Sequence, residues 1–210
     1  MHIIVLADEG NKEEFKAKKM SADTQVTYIE SLSELSINGM HHNTADAYFL
    51  LKEGINKQDH TIFKGKPVFI NAVIPTLKEL ELPENFYRIN GWPGFLKRDI
   101  WEVAGGNDDT LTIFEKLQWK YISVADEPGL VSARIISMII NEAYFALGEE
   151  VSTKEEIDIA MKLGTNYPYG PFEWSKKIGS QKVYDLLQKL SETDSRYSIA
   201  PAMKNELTTI

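Results

Sequence analysis

The strongest constraint in the sequence is Leu130–Leu147, an almost unbroken apolar run. Ile135, Ile136, Met138, Ile139, Ile140, Ala143, Tyr144 and Phe145 fall all the way around a helix there. A helix apolar on every side requires burial on every side. Arg134, Asn141 and Glu142 inside the run argue against a membrane span. Residues 126–210 form too small a bundle to enclose such a helix easily, because surface outweighs volume at that size. The helix is therefore expected to bury itself against another domain or a second subunit. A self-sufficient bundle is the alternative.

The rest of this part reads as helices. Ser152-Thr153-Lys154-Glu155 has the pattern of a capping box, with Ser152 accepting from the Glu155 N–H. Ile157, Ala160 and Met161 follow, and Gly164 is placed to end that helix. Pro171 suits the first turn of the next one, where its missing N–H is not needed. Val183, Leu186, Leu187 and Leu190 mark one face of a fourth, beginning after Ser180. From Thr193 onward no period is evident.

Before Asp126-Glu127-Pro128-Gly129 the texture is different. Ile3–Ala7, Val26–Ile29, Ala47–Leu51, Val68–Ile70 and Lys120–Val124 read as short strands, several of them continuous apolar runs as in strands buried on both faces. Asn11–Lys19 and Thr110–Leu117 read as helices, the second with Leu111, Phe114 and Leu117 on one stripe after Gly105-Gly106-Asn107. Alternating strands and helices imply a parallel α/β sheet. The fold class is thus α/β plus all-α, with an α/β domain at 1–125 and a helical domain at 126–210.

The net charge of −8 is shared equally by these two parts, so neither offers the basic face that nucleic acid requires. The absence of cysteine excludes disulfide scaffolds, zinc–thiolate sites and thiol catalysis. Met1–Asp8 has no basic region and too short an apolar run for a signal peptide, and no stretch reaches the length of a membrane span. A cytoplasmic location is expected, with no membrane partner.

Four segments occur in order: Asp126-Glu127-Pro128-Gly129-Leu130-Val131-Ser132-Ala133-Arg134, Asn141-Glu142-Ala143, Glu156–Gly164 and Tyr167-Pro168-Tyr169-Gly170-Pro171-Phe172-Glu173. Together they resemble the C-terminal domain of 3-hydroxyacyl-CoA dehydrogenases. The resemblance implies a Rossmann-like sheet domain, shortened here and of the NAD-binding type, followed by a small helical domain that pairs in dimers. The implied reaction moves a hydride between NAD and the 3-hydroxyl carbon of a fatty acyl-CoA. Most of the motif residues read as architecture: Pro168–Pro171 as a turn into a helix, Gly164 as a helix end, Asp158 on an exposed or capping face.

The family's catalytic residues carry over incompletely. Removing a hydroxyl proton during hydride transfer suits a histidine backed by a carboxylate. The family holds that histidine in a Gly-x-His-Phe-x-x-Pro segment, with the glutamate twelve positions on. Here Trp101-Glu102-Val103 matches the glutamate segment, and counting back places the histidine position at Asn90. An asparagine amide does not titrate, so the roughly 10²–10⁴-fold contribution of a general base is expected to be absent. His2, the His41-His42 pair and His60 offer no replacement and no metal-ligand spacing. Ala133 stands where the family has an active-site asparagine before the arginine. Ile70–Thr76 has no counterpart of the substrate-polarising serine, leaving Asn71 or Thr76 as substitutes.

The cofactor turn is similarly reduced. After the first strand, Gly10 is the lone glycine among Asp8, Glu9, Glu13 and Glu14, where a glycine-rich turn would bring pyrophosphate to backbone N–H groups. Glu30, 20 residues beyond Gly10, stands where a ribose-binding acid would, although a solvated strand-end glutamate explains it better. Two readings result. One is a degenerate relative that keeps the homodimer-forming helices, lacks NAD-dependent chemistry and binds an acyl-CoA, another small ligand or a protein. The other is a working dehydrogenase with a rearranged site built on Glu102. The replaced polar positions favour the first.

Overall fold

The computed structural model describes residues 1–37, 45–54, 60–63, 65–105 and 108–208. His41 and His42 lie outside the described residues, as do Gly106 and Asn107. Contacts divide the chain into two compact units, Met1–Leu130 and Val131–Ile210.

The first unit runs β1 (His2–Leu6), α1 (Glu9–Lys16), β2 (Gln25–Ile29), α2 (Ser33–Ile37), β3 (Ala47–Leu50), β4 (Val68–Asn71), α3 (Leu77–Leu80), β5 (Phe86–Ile89), β6 (Ile100–Ala104), α4 (Asp108–Leu117) and β7 (Lys120–Val124). The described strands form one sheet in the order β2-β1-β3-β4-β5-β6-β7. Every neighbouring pair is parallel except β5 with β6. The expected wholly parallel sheet is corrected at that point. A short excursion through Trp92–Asp99 returns the chain beside β5 without the crossover helix that parallel pairing needs.

β1, β3, β4 and β5 are buried at every position, which accounts for their apolar runs without alternation. One face of the sheet packs an aromatic core of Phe15, Phe49, Phe69, Trp101, Phe114 and Trp119. Phe49 stacks on Phe69 with ring centres 4.8 Å apart, and Trp119 meets Phe15 edge-on. The other face carries Ile4, Leu6, Tyr48, Leu50, Ile70 and Phe86 beneath the short helices α2 and α3. β5 escapes a reading by hydropathy because Arg88, entirely buried, sits in its middle.

The second unit contains α5 (Ser132–Gly148), α6 (Lys154–Thr165), α7 (Pro171–Ile178), α8 (Ser180–Ser191) and α9 (Pro201–Thr208). On the single chain, Ala133, Ile136, Ile140 and Tyr144 of α5 are buried, whereas Ile135 is 54% exposed. Two expectations, both about α6, are corrected here. The cap of α6 lies one residue later than expected, with Thr153 bonded to the Glu156 N–H and Glu156 reaching back, because Ser152 instead donates to the Glu156 carboxylate. α6 also runs past Gly164 and ends at Asn166 (φ 56°), a residue type that tolerates the left-handed conformation. α9 has no amphipathic signature in the sequence. No described helix is long and apolar enough to cross a membrane.

The motif residues of this unit hold it together. Asp158 is buried and accepts hydrogen bonds from the Phe172 and Glu173 N–H groups, so it caps α7 from α6. Asn141, also buried, donates to the Ser198 carbonyl and accepts from the Ala200 N–H, tying α5 to the segment before α9. A Cβ at Gly170 would collide with the Asp158 carboxyl group. Gly170→Ala is therefore expected to displace that cap and cost about 1–3 kcal/mol, read from thermal or urea unfolding. An unchanged stability would show that the α6–α7 junction yields freely.

Candidate functional site

In the sheet unit the strand order reverses between β1 and β3, the position where open parallel sheets bind ligands beyond their carboxyl ends. The residues that follow β1, β3, β4 and β5 converge on that edge. Asp8 is the N-cap of α1 and its Oδ1 accepts the Asn11 N–H at 2.8 Å. Asn11 is itself buried, and its side chain donates to the Leu51 carbonyl at 2.8 Å, linking the start of α1 to the end of β3. Gly10 lies inside the first turn of α1.

Asn71, at the end of β4, is consumed by the scaffold. Its amide nitrogen donates to the Leu51 and Gly91 carbonyls, and its oxygen accepts the Gly91 N–H at 3.0 Å. Gly91 is held so closely that a Cβ there would sit 2.5 Å from Asn71 Cγ. Thr76 is the N-cap of α3 in a reciprocal box with Glu79. Both stand-ins for the missing serine thus have structural duties.

Asn90 follows β5, is 7% exposed, and accepts the Trp92 N–H through its side-chain oxygen at 3.2 Å. The antiparallel register pairs Arg88 with Ala104 and Ile89 with Val103. The pairing ends there: Asn90 follows the last residue of β5, and Glu102 lies within β6. Glu102 is half-buried, and its charge opposes the effect of burial, which lowers the pKa of Arg98. Glu30 is exposed at the end of β2, with its N–H donated to Glu34 and its carbonyl accepting from Lys52. Ala133 is fully buried in the first turn of α5, in the other unit. Among the described residues no group of three or more His, Cys, Asp or Glu is arranged to hold a metal ion. His60 packs on Phe86 with ring centres 5.0 Å apart.

Two features of this edge escape a reading of the sequence. Asn11 carries no signal, since an asparagine early in a polar helix is ordinary. Arg88 does carry one, a cation in the middle of Phe86-Tyr87-Arg88-Ile89. Its guanidinium donates to the Ala72, Val73 and Glu127 carbonyls and to Asp126 Oδ1 at 2.6 Å.

The helical unit has a groove of about 440 Å³ lined by Tyr144, Lys154, Phe172, Ser175, Ser180 and Glu206, among others. Its polar groups bond to one another: Lys154 and Tyr144 to Glu206, and Ser175 to Ser180. Burial, aided by the Glu206 carboxylate, pushes the Tyr144 phenol up to about 12.

Residues 129–208 match the family model of the 3-hydroxyacyl-CoA dehydrogenase C-terminal domain. The 3-hydroxyadipyl-CoA dehydrogenase of Escherichia coli (strain K12) is 46% identical over 69 residues, 33% of this chain and 14% of that protein. A probable 3-hydroxybutyryl-CoA dehydrogenase of Bacillus subtilis (strain 168) is 35% identical over 98 residues, 46% of this chain and 34% of that one. The matched stretches thus cover about a third or less of these relatives. The crystal structure of (S)-3-hydroxybutyryl-CoA dehydrogenase PaaH1 from Ralstonia eutropha has a TM-score of 0.68 at 23% identity, covering 88% of this chain and 70% of that one. For FadB2 of M. tuberculosis the TM-score is 0.75 at 11% identity, covering 99% and 93%. At such identities these two structures speak for the fold alone. The chain resembles the 3-hydroxyacyl-CoA dehydrogenase family, in sequence through its helical unit and in fold through its sheet as well.

Proposed function

We propose that this chain is a scaffold of the 3-hydroxyacyl-CoA dehydrogenase type that has lost NAD-dependent hydride transfer. It binds a small ligand, an acyl-CoA or another, and assembles as a homodimer through its helical unit. The observation that carries this reading is the start of α1. A dinucleotide fold needs free backbone N–H groups there and room for backbone to approach a pyrophosphate. Here the Asp8 carboxylate already takes the Asn11 N–H, and the Asn11 side chain spans to Leu51. Glu9 adds a second negative charge beside it. These residues do not fit a dinucleotide, and no chemical step is assigned to one.

Titrating the protein with NADH tests the reading. No protein-dependent fluorescence change is expected up to millimolar cofactor, and a saturable change would overturn it. The second reading, an active dehydrogenase, draws on Glu102, which lies on β6 beside the strand that leads into Asn90. It would be established by reduction of acetoacetyl-CoA that collapses in Glu102→Gln.

The dimer is supported by apolar side chains on the outside of the helical unit. Ile159 and Leu163, one turn apart on α6, are 53% and 84% exposed. Neighbouring apolar residues left in water favour association. Light scattering is expected to give twice the chain mass of 23.9 kDa, and Leu163→Lys to shift the population toward monomer. A wild-type monomer at micromolar concentration would sink this part.

A further inference from the structure

We propose that Arg88 and Asp126 form an anchor that clamps residues 126–130 to the body of the sheet unit. Arg88, the Leu77 N–H and the Val73 carbonyl all hold residues 126–129. Asp126 receives Arg88 Nη1 at 2.6 Å on one oxygen, and both of its oxygens face the Leu77 N–H that opens α3. The same guanidinium donates to the Glu127 carbonyl, and through its other nitrogens to Ala72 and Val73 at the end of β4. The Gly129 N–H donates to the Val73 carbonyl at 2.8 Å, and the Leu130 N–H to Glu127. Arg88 is entirely buried, so its charge has no solvent alternative to these partners.

The backbone supplies the other half of the device. Gly129 (φ 82°) and Leu130 (φ 50°) are consecutive residues in the left-handed region. A side chain as bulky as leucine enters that region only when surrounding structure compels it. Leu130 is 4% exposed, so burial and hydrogen bonding together compel it. The division between the compact units falls directly after it.

Amide hydrogen exchange on the intact chain reads the anchor directly. In the wild type, Gly129 and Leu130 amides are expected to exchange as slowly as those of β4, and rapid exchange there would overturn the proposal without any variant. Asp126→Ala is expected to speed exchange at 126–130 by at least about tenfold, with Asp126→Asn in between, because the amide restores the acceptor without the charge. Protease cleavage confined to residues 126–130 should rise in the same order. If Asp126→Ala leaves exchange and cleavage at wild-type rates, the clamp does not exist. Should that variant lose the sheet altogether, the Asp126→Asn and wild-type measurements decide the matter.

Discussion

Arg88→Met is expected to be among the most damaging single substitutions in the sheet unit, costing about 3–5 kcal/mol. Methionine fills much of the same volume, so the loss is not a cavity effect. It comes from what is left behind. The Ala72 and Val73 carbonyls lose the donors that cap the end of β4, and the Glu127 carbonyl loses its guanidinium contact. Asp126 keeps the Leu77 N–H and is partly solvated, with 27% of its side chain exposed, so its share of the cost is the smaller one. Burial lowers the Arg88 pKa and Asp126 opposes that, which places the ion pair among the terms that keep the guanidinium charged inside the fold. Arg88→Lys should recover little, because an ammonium cannot reach four acceptors arranged for a planar fork. For a chain of this size the expected loss lowers Tm by roughly 10 °C or more, measured by near-UV circular dichroism of the sheet's tryptophans. A shift of less than about 2 °C would mean that the network is ornamental, and it would weaken the proposed anchor as well.

What the sequence disclosed about this fold follows from which signals are local. Ile3–Ala7, Ala47–Leu51 and Val68–Ile70 announce themselves because strands buried on both faces have nothing to alternate with, and all three are strands. Pro171 opens α7 as its lack of an N–H predicts. β5 and β6 are hidden for different reasons: one contains a buried arginine, and the other mixes exposed Ile100 and half-buried Glu102 with core positions. Their antiparallel pairing depends on a loop returning beside its own strand, which no periodicity encodes. The same limit explains α5. Its apolar surround predicts burial everywhere, yet Ile135 is half-exposed on the single chain, because hydropathy states that burial is favourable and not which surface supplies it.

The candidate site divides in the same way. The family's twelve-residue interval leads from Asn90 to Glu102, and the segments that carry them are the neighbouring antiparallel strands β5 and β6 with the return between them. The fate of Asn71 does not follow from spacing. Its three hydrogen bonds depend on Leu51 and Gly91 arriving from β3 and β5, a convergence made by the sheet order. Asn11 is a further case: an unremarkable residue becomes the bridge across the β1–β3 crevice only once α1 is docked.

Asn90→His, the substitution that restores the family's base, is expected to leave the protein unable to reduce acetoacetyl-CoA with NADH. A histidine at position 90 would restore a titratable general base, in principle worth about 10²–10⁴ in rate. That factor multiplies only what the remaining machinery supplies. The serine position has Asn71 locked between Leu51 and Gly91, and Thr76 is spent capping α3. The start of α1 remains closed by Asp8 and Asn11. A base without a bound hydride donor has nothing to act on, so the product of the terms stays at background. The Asn90 oxygen also accepts the Trp92 N–H, and the new side chain must meet that buried donor or strain the turn after β5. The assay is the fall in NADH absorbance with the variant and wild type at equal, high concentration. A gain of about a hundredfold or more over wild type would mean that the base alone had been lost, and that the α1 end admits a dinucleotide despite its own carboxylate. With no gain, opening the crevice by Asp8→Gly together with Asn11→Ala on the same background separates the remaining causes: NADH binding that appears without turnover would place the residual defect at the serine position.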